Sequence, residues 1–230
     1  MTEVAKTLAR VPMFSGLEEK EIAFLTRRAV PREYAAGETI FTEGEPCQGL
    51  YVVESGRVKI FKMSAGGREQ VLAVDGPGAS IAELPVFDDG GYPASAAAVT
   101  EARLVFVSKQ DFRALCLEHP QVALKVLKVV GGRLRRLVGI IEELSFTTVR
   151  HRMAALLLNL AKRSGAPTAR GTEFLLPATQ QEVAAMIGTV RELVSRNLSR
   201  LQAEGIIIVE GRTVIVADLG RLKAELEAAE

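Results

Sequence analysis

The chain is poor in the residues that most often carry chemistry: two cysteines and two histidines in 230 residues. Cys47 and Cys116 cannot build a disulfide framework and do not sit at metal-ligand spacing, so two ordinary thiols in a reducing compartment are expected and no metal site. His119 and His151 offer little acid–base equipment. No Ser/His/Asp set and no GxxxxGK phosphate loop occurs, so no catalytic residue is assigned and an enzyme is not expected. Nor is there a run of about 18 uncharged apolar residues, and the opening MTEVAKTLARVPMF mixes acidic and basic residues. A cytoplasmic protein without a membrane span or cleaved signal is the expectation. Strands and helices do not alternate, which argues against a parallel nucleotide-binding sheet.

What is present is a packable chain, 48% hydrophobic and 25% charged, long enough for one large domain or two ordinary ones. The net charge of +1 hides an asymmetry. Residues 146–212 hold nine Lys/Arg against five Glu, a segment at +4 beside a remainder at −3. A modest basic module is compatible with nucleic acid and does not by itself establish it.

Three textures follow one another. After a helix signal in SGLEEKEIAFLTRRA, where Ser15 and Glu18 are spaced as a capping box, residues 31–108 read as short strands: ETIF, LYVVE, RVKIFKM, EQVLAV and ARLVFVS. Glycines punctuate them, and the pattern predicts a small antiparallel barrel or roll over 1–118. The second texture is a long helix opening at His119-Pro120 and spanning 119–145. Leu127, Leu134 and Ile141 interleave with Val130, Leu137 and Leu144 as the a and d series of a coiled-coil seam. A polar back that includes Lys125, Lys128, Arg135, Arg136, Glu142 and Glu143 favours a homodimer over a helix packed only on its own domain. Gly131-Gly132 interrupts it, with Gly131 beside the seam.

The third texture, 146–230, opens with a helix bearing Met153, Leu156, Leu157 and Leu160, then a loop and short strand in APTARGTEFLLP. TQQEVAAMIGTVRELVSRNLSRLQAEG contains two capping boxes, Thr179 with Glu182 and Thr189 with Glu192, ten residues apart. Gly188 falls in the turn between them, and Ala184 is small enough for a close crossing. Val183, Ile187, Val190, Val194, Leu198 and Leu201 form the shared interior. With the hairpin GIIIVEGRTVIVA behind it, this is a winged helix-turn-helix. DLGRLKAELEAAE adds a terminal helix of unassigned role.

On the second helix Arg191, Glu192, Ser195, Arg196 and Ser199 share the side away from the interior. An arginine there forks onto guanine O6 and N7, and a glutamate accepts from cytosine N4. Glu192 also has its capping-box role, and a solvated face remains the plain alternative for the arginines. Thr179, Gln180, Thr189, Ser199, Arg200 and Arg212 are assigned to phosphate contact, which positions a reader without reading sequence.

In this order of parts the chain resembles the cyclic-AMP receptor protein / fumarate-nitrate regulator (CRP/FNR) family of bacterial transcription factors. GETIFTEGEPCQGLYVVESGRVKIFK resembles its glycine-punctuated, cyclic-nucleotide-binding-like roll, and GTVRELVSRNLSRL its reader. The resemblance implies an α+β fold: an N-terminal antiparallel β-roll, a long dimerisation helix and a C-terminal winged helix-turn-helix. It implies a homodimer on a palindromic double-stranded site, with RNA polymerase as a further partner. Arg191, Glu192 and Arg196 match the family's base-reading Arg, Glu and Arg, and Ser195 its fumarate-nitrate branch, so TGTGA-like half-sites are expected.

The sensing end departs from the pattern. The family's phosphate cassette opens on Gly-Glu-Leu and closes on Arg-Ser-Ala or Arg-Thr-Ala. Here Ala82, Glu83 and Leu84 open it and, with one extra loop residue, Ala94, Ser95 and Ala96 close it. Without that residue Pro93 takes the arginine's place, and either way no Arg or Lys occurs between Arg68 and Arg103. A phosphodiester would lose its charge-assisted contact and keep its desolvation cost. The family's adenine-reaching polar pair aligns with Leu137 and Val138, which cannot hydrogen-bond a base. Control by cyclic AMP is therefore not expected, and Glu83 and Ser95 can equally be roll residues satisfying backbone donors. An iron–sulfur cluster needs four cysteines. Haem through His119 or His151 is not expected, since one precedes a helix-starting proline and the other lies in a basic stretch. Cys47 has no neighbour in sequence that would lower its pKa, and its redox role stays open. The effector is left unidentified, and a module acting on a protein partner, or one that still binds a cyclic nucleotide, stays as the alternative.

Overall fold

The computed structural model describes residues 2–176 and 179–227. Pro177, at the end of the expected strand, and 228–230 of the expected terminal helix lie outside the described residues. The chain divides into two compact units, residues 1–62 with 72–137 and residues 63–71 with 138–230. Among the described residues no helix is long and apolar enough to cross a membrane.

The first unit begins with α1 (Glu3–Arg10) and α2 (Glu19–Arg28). The roll strands follow: β1 (Val30–Tyr34), β2 (Thr39–Phe41), β3 (Gly49–Ser55), β4 (Val58–Met63), β5 (Glu69–Asp75) and β6 (Ser80–Ile81). A one-turn helix α3 (Pro85–Asp88) precedes β7 (Ser95–Ala98) and β8 (Ala102–Ser108), then α4 (Lys109–Glu118) and the start of α5 (Pro120–Phe146). Two four-stranded sheets form, in the orders β1-β8-β3-β6 and β2-β7-β4-β5. Pairing is antiparallel, from Val30 opposite Phe106 to Tyr34 opposite Ala102 in the first sheet.

The central strands β3 and β8 are buried on both faces, which explains their continuous apolar runs. Leu50, Val52, Val105 and Val107 point to a core completed by Leu8, Phe14, Leu25, Phe112 and Val122 of the flanking helices. Alternate residues Tyr51, Val53, Leu104 and Phe106 point into the roll, against Tyr34, Phe41 and Val58. The turn between β3 and β4 requires glycine: Gly56 has φ +80°, and a Cβ there would lie 2.3 Å from the Glu101 carbonyl oxygen.

The expected strands are present; β1, β6 and β7 were not expected, nor were α1 and α4. The expected capping box at Ser15 does not form. Helix α2 starts one turn later, with Glu18 as N-cap and Glu21 closing the box, while the Ser15 hydroxyl donates to the Pro12 carbonyl.

In the second unit α6 (Val149–Ser164) is followed by β9 (Ala166–Thr168) and β10 (Gly171–Leu175), a hairpin where a loop and one strand were expected. Then come α7 (Gln180–Ile187), α8 (Arg191–Ala203), the hairpin β11 (Ile207–Glu210) and β12 (Thr213–Val216), and α9 (Leu219–Glu227). The sheet order is β11-β12-β10-β9. Met153, Leu157, Val183, Ile187, Val194, Leu198, Leu201 and Ile207 share one core, and Leu222 anchors α9 to it.

Candidate nucleic-acid interface and roll cavity

The α7–α8 pair is set by local rules. The Thr179 hydroxyl accepts from the Glu182 amide while the Glu182 carboxylate accepts from the Thr179 amide, closing the expected capping box. Gly188 ends α7 at φ +68°, and a Cβ there would also press on Leu144 at 2.3 Å. Ala184 is fully buried at the crossing. The second box does not form: α8 takes Val190 as its N-cap with no side-chain bond, and Thr189 is buried. Val190, expected in the interior, is 40% exposed.

Arg191, Glu192, Ser195, Arg196 and Ser199 are exposed along α8, while Val194 and Leu198 are buried. Among the described residues no carboxylate lies within ion-pair distance of Arg191 or Arg196. The expected phosphate contacts are less uniform. Thr179 is exposed but holds its cap, and Gln180 is half-buried. Arg200 is exposed and pairs with Glu204 at 3.1 Å, and Arg212 donates to the Leu176 carbonyl at 3.0 Å. Thr189, buried, presents no hydroxyl to solvent comparable with that of Ser199.

Part of the basic charge counted in this segment is spent internally. Arg150 binds Glu204 and Glu225, fastening the α6 start to the end of α8 and to α9, and holds the Glu204 carboxyl down to about 2. Arg170 pairs with Glu210 across the wing strands. Arg152, overlooked in the sequence as one more cation, is buried and, among the described residues, has no acidic side chain as its hydrogen-bond partner. It donates to the Ile187 carbonyl at 2.7 Å, at the end of α7, and to the Thr147 and Glu143 carbonyls at 2.6 and 3.3 Å, at the end of α5. One guanidinium thus closes two helix C-termini, whose free carbonyls carry partial negative charge. Burial lowers its pKa, opposed by Glu143.

On α5 the exposed apolar stripe is Leu124, Leu127, Leu134, Val138 and Ile141, between 56% and 67% exposed, with Gly131 in its middle and nothing within 4 Å of its Cβ position. The 127, 134, 141 series is therefore exposed as expected. Its expected companion is less exposed: Val130 packs on the roll core, Leu137 lines the roll cavity at 37% exposure and Leu144 lies against Gly188 at 39%.

The roll encloses a cavity of about 320 Å³. Glu83, Leu84, Ala94 and Leu137 line it; Ser95, Ala96 and Val138 do not. The Ser95 hydroxyl accepts from the Glu43 amide at 3.0 Å, Ala96 is fully buried in β7, and Val138 belongs to the exposed stripe. The loop supplies no cation, yet the cavity is not without one: α5 contributes Arg133 and Arg136. Arg133 lies 3.0 Å from Glu83 Oε2 and donates to the Ser80 carbonyl, with Asp75 at 3.7 Å; the Ser80 hydroxyl donates to the other Glu83 oxygen. A signal existed in the sequence, since Arg133 stands three and four residues from Val130 and Leu137, on one helix face. Ala82 opens the loop at φ +67°, a region that favours glycine.

Neither histidine lines the cavity; His119 Nδ1 lies 3.1 Å from Glu21. Burial raises the Cys47 thiol above its ordinary value, opposed by the backbone of Gly49, and pushes Cys116 up to about 11. Both shifts disfavour the reactive thiolate. Among the described residues no group of three His, Cys, Asp or Glu could hold a metal.

The model of the cyclic nucleotide-binding domain matches residues 31–119, and that of the Crp-like helix-turn-helix domain matches 151–225. The chain belongs to the CRP/FNR family of transcription regulators. This family member is 37% identical over 215 residues to the CRP-like cAMP-activated global transcriptional regulator of Mycobacterium tuberculosis, covering 94% of this chain and 96% of that one. It is 35% identical over 212 residues to the cyclic AMP receptor protein of Thermus thermophilus, covering 92% and 95%. The solved structure of the c-di-GMP-responsive global regulator of Xanthomonas campestris matches with a TM-score of 0.76 at 26% identity, over 86% of this chain and 99% of that one. These relatives are transcription regulators, not enzymes. The chain is accordingly an effector-controlled, DNA-binding regulator of the CRP type.

Proposed function

We propose that this regulator works as a homodimer on an inverted repeat, with one α8 per half-site in successive major grooves about 34 Å apart. The division of labour is a sensing roll over 1–118, a dimer helix over 119–145 and a DNA reader over 146–230. The exposed face of α8 carries the reading: among the described residues Arg191 and Arg196 make no ion pair, and Glu192 and Ser195 are exposed beside them. Arg191 is placed to take a guanine and Glu192 a cytosine, which favours TGTGA-like half-sites. Ser199, Arg200, Thr179, Gln180, Thr189 and Arg212 are the phosphate-side contacts of this proposal, with Thr189 restricted to its backbone by burial. Dimerisation is supported by the stripe from Leu124 to Ile141, whose uncovered side chains need an apolar partner. Gly131 at its centre lets a second helix approach closely. RNA polymerase is the further protein partner.

Selection from a randomised duplex pool tests this reading, with enrichment of an inverted TGTGA-like repeat as the expected result. A pool that enriches neither the half-site nor the symmetry overturns it. A second reading, control by cyclic AMP, is favoured by the names of the mycobacterial and Thermus relatives. DNA affinity with and without cyclic AMP separates the two: no change is expected, and a large enhancement supports the second.

A further inference from the structure

The four charged residues lining the roll cavity are two acids, Asp75 and Glu83, and two bases, Arg133 and Arg136. They are engaged with one another. Glu83 is 1% exposed, with one oxygen on Arg133 and the other receiving the Ser80 hydroxyl. An anionic occupant would have to draw Arg133 away from Glu83, leaving a buried carboxylate without its cation. The rest of the lining is apolar. One wall is the Phe41–Tyr92 stack, with ring centroids 4.0 Å apart. The Tyr92 hydroxyl is occupied away from the cavity, donating to the Gly49 carbonyl and accepting from the Gln48 amide. Asp75 is the most loosely held of the four: its buried Oδ2 accepts no hydrogen bond and lies 3.7 Å from Arg133, and its Oδ1 lies 3.8 Å from Arg136. It asks for a donor.

We propose that the roll cavity binds a small, uncharged aromatic molecule with a single hydrogen-bond donor, its ring against Phe41 and Tyr92 and its donor on Asp75. This specifies the effector of the regulator proposed above and rests on that reading. The cavity volume is at the lower end for ligand sites, which suits a compact bicyclic or biaryl compound. The same occupant would touch Val130, Leu134 and Leu137 of α5, so binding is felt directly by that helix.

N-phenyl-1-naphthylamine, uncharged and carrying one N–H, tests the proposal on the full chain through its fluorescence rise in apolar surroundings. Saturable binding at one probe per chain is expected. Filling the cavity by Ala73→Phe, or independently by Ile60→Phe, should weaken it at least about tenfold, since each group displaces probe volume. 1-Phenylnaphthalene, which has the rings but no N–H, should compete about fivefold less well, the worth of one hydrogen bond. Millimolar cyclic AMP should leave the signal unchanged. Absence of saturable binding overturns the proposal, as do undiminished binding in both folded filling variants and displacement of the probe by cyclic AMP. DNA binding by the same preparation, measured with and without the probe, keeps the two readings apart. DNA binding in either state without saturable probe binding defeats only the ligand class, whereas no DNA binding in either state defeats the regulator itself.

Discussion

Two arginine pairs stand on two helices of this regulator in opposite circumstances. On α5, Arg133 is held by Glu83 at 3.0 Å, and Arg136, about half exposed, lies 3.8 Å from Asp75. Arg191 and Arg196 of α8 are exposed, and among the described residues neither makes an ion pair. A guanidinium already held by a buried acid contributes to the fold and has little left for a ligand. One left free keeps its donors and its charge for a base or phosphate. The contrast separates the part of the molecule that is spent on structure from the part kept for recognition.

The largest expected effect comes from opening the closed pair. Arg133→Leu strands the Glu83 carboxylate and should cost the roll about 3–5 kcal/mol. All three tyrosines, Tyr34, Tyr51 and Tyr92, lie in the roll and the chain has no tryptophan, so tyrosine emission during urea unfolding reports on this unit. Adding Glu83→Leu should recover most of the loss. A cost below about 1 kcal/mol would make the pair no better than a surface contact and erase the contrast.

Arg191→Ala should do the reverse, leaving the unfolding midpoint unchanged while weakening the selected DNA site by about 1–3 kcal/mol, roughly fivefold to 150-fold. Fluorescence anisotropy measures it. An equal loss on unrelated duplexes would move Arg191 from base reading to phosphate contact.

A smaller gain is expected at the cavity loop. Ala82 holds φ +67°, where glycine is unstrained, so Ala82→Gly should stabilise the roll by about 0.5–1 kcal/mol in the same urea experiment. No gain would mean that the loop adapts to alanine without strain.

The smallest effect at neutral pH should come from the ion pairs fastening α9. Glu204 is held to about 2, below the unfolded carboxylate value of about 4.3. Its contribution is therefore whole above the unfolded value and is lost as pH falls through the folded one. The Tm difference between the native chain and Arg150→Met should shrink as pH drops from 5 to 2. A difference that stays constant would assign the role of Arg150 to packing.

The reader was legible because its rules are local. Capping at Thr179, a left-handed glycine at 188 and helical spacing of apolar residues act within a few turns. One local rule misled: Thr189 and Glu192 have capping-box spacing, but burial of Thr189 against the helix pair removed its hydroxyl from the α8 N-terminus. On α5 two heptad series were equally apolar, and sequence could not say which would be covered. The roll core took Val130, and Leu137, which lines the cavity, is less exposed than Leu124 and Val138, so the most exposed stripe runs through Leu124, Gly131 and Val138.

By itself the sequence determined the α+β order of parts, the helix-turn-helix and which side of α8 faces outward, because periodicity and capping fix those within one element. Only the tertiary structure decided where the charges of the cavity go. Arg133 is fifty residues from Glu83, and no spacing rule joins them. The missing arginine of the loop is a fact of sequence. That a different arginine, already neutralised, stands in the same cavity is a fact of packing, since a buried carboxylate draws its cation from whichever element lies against it.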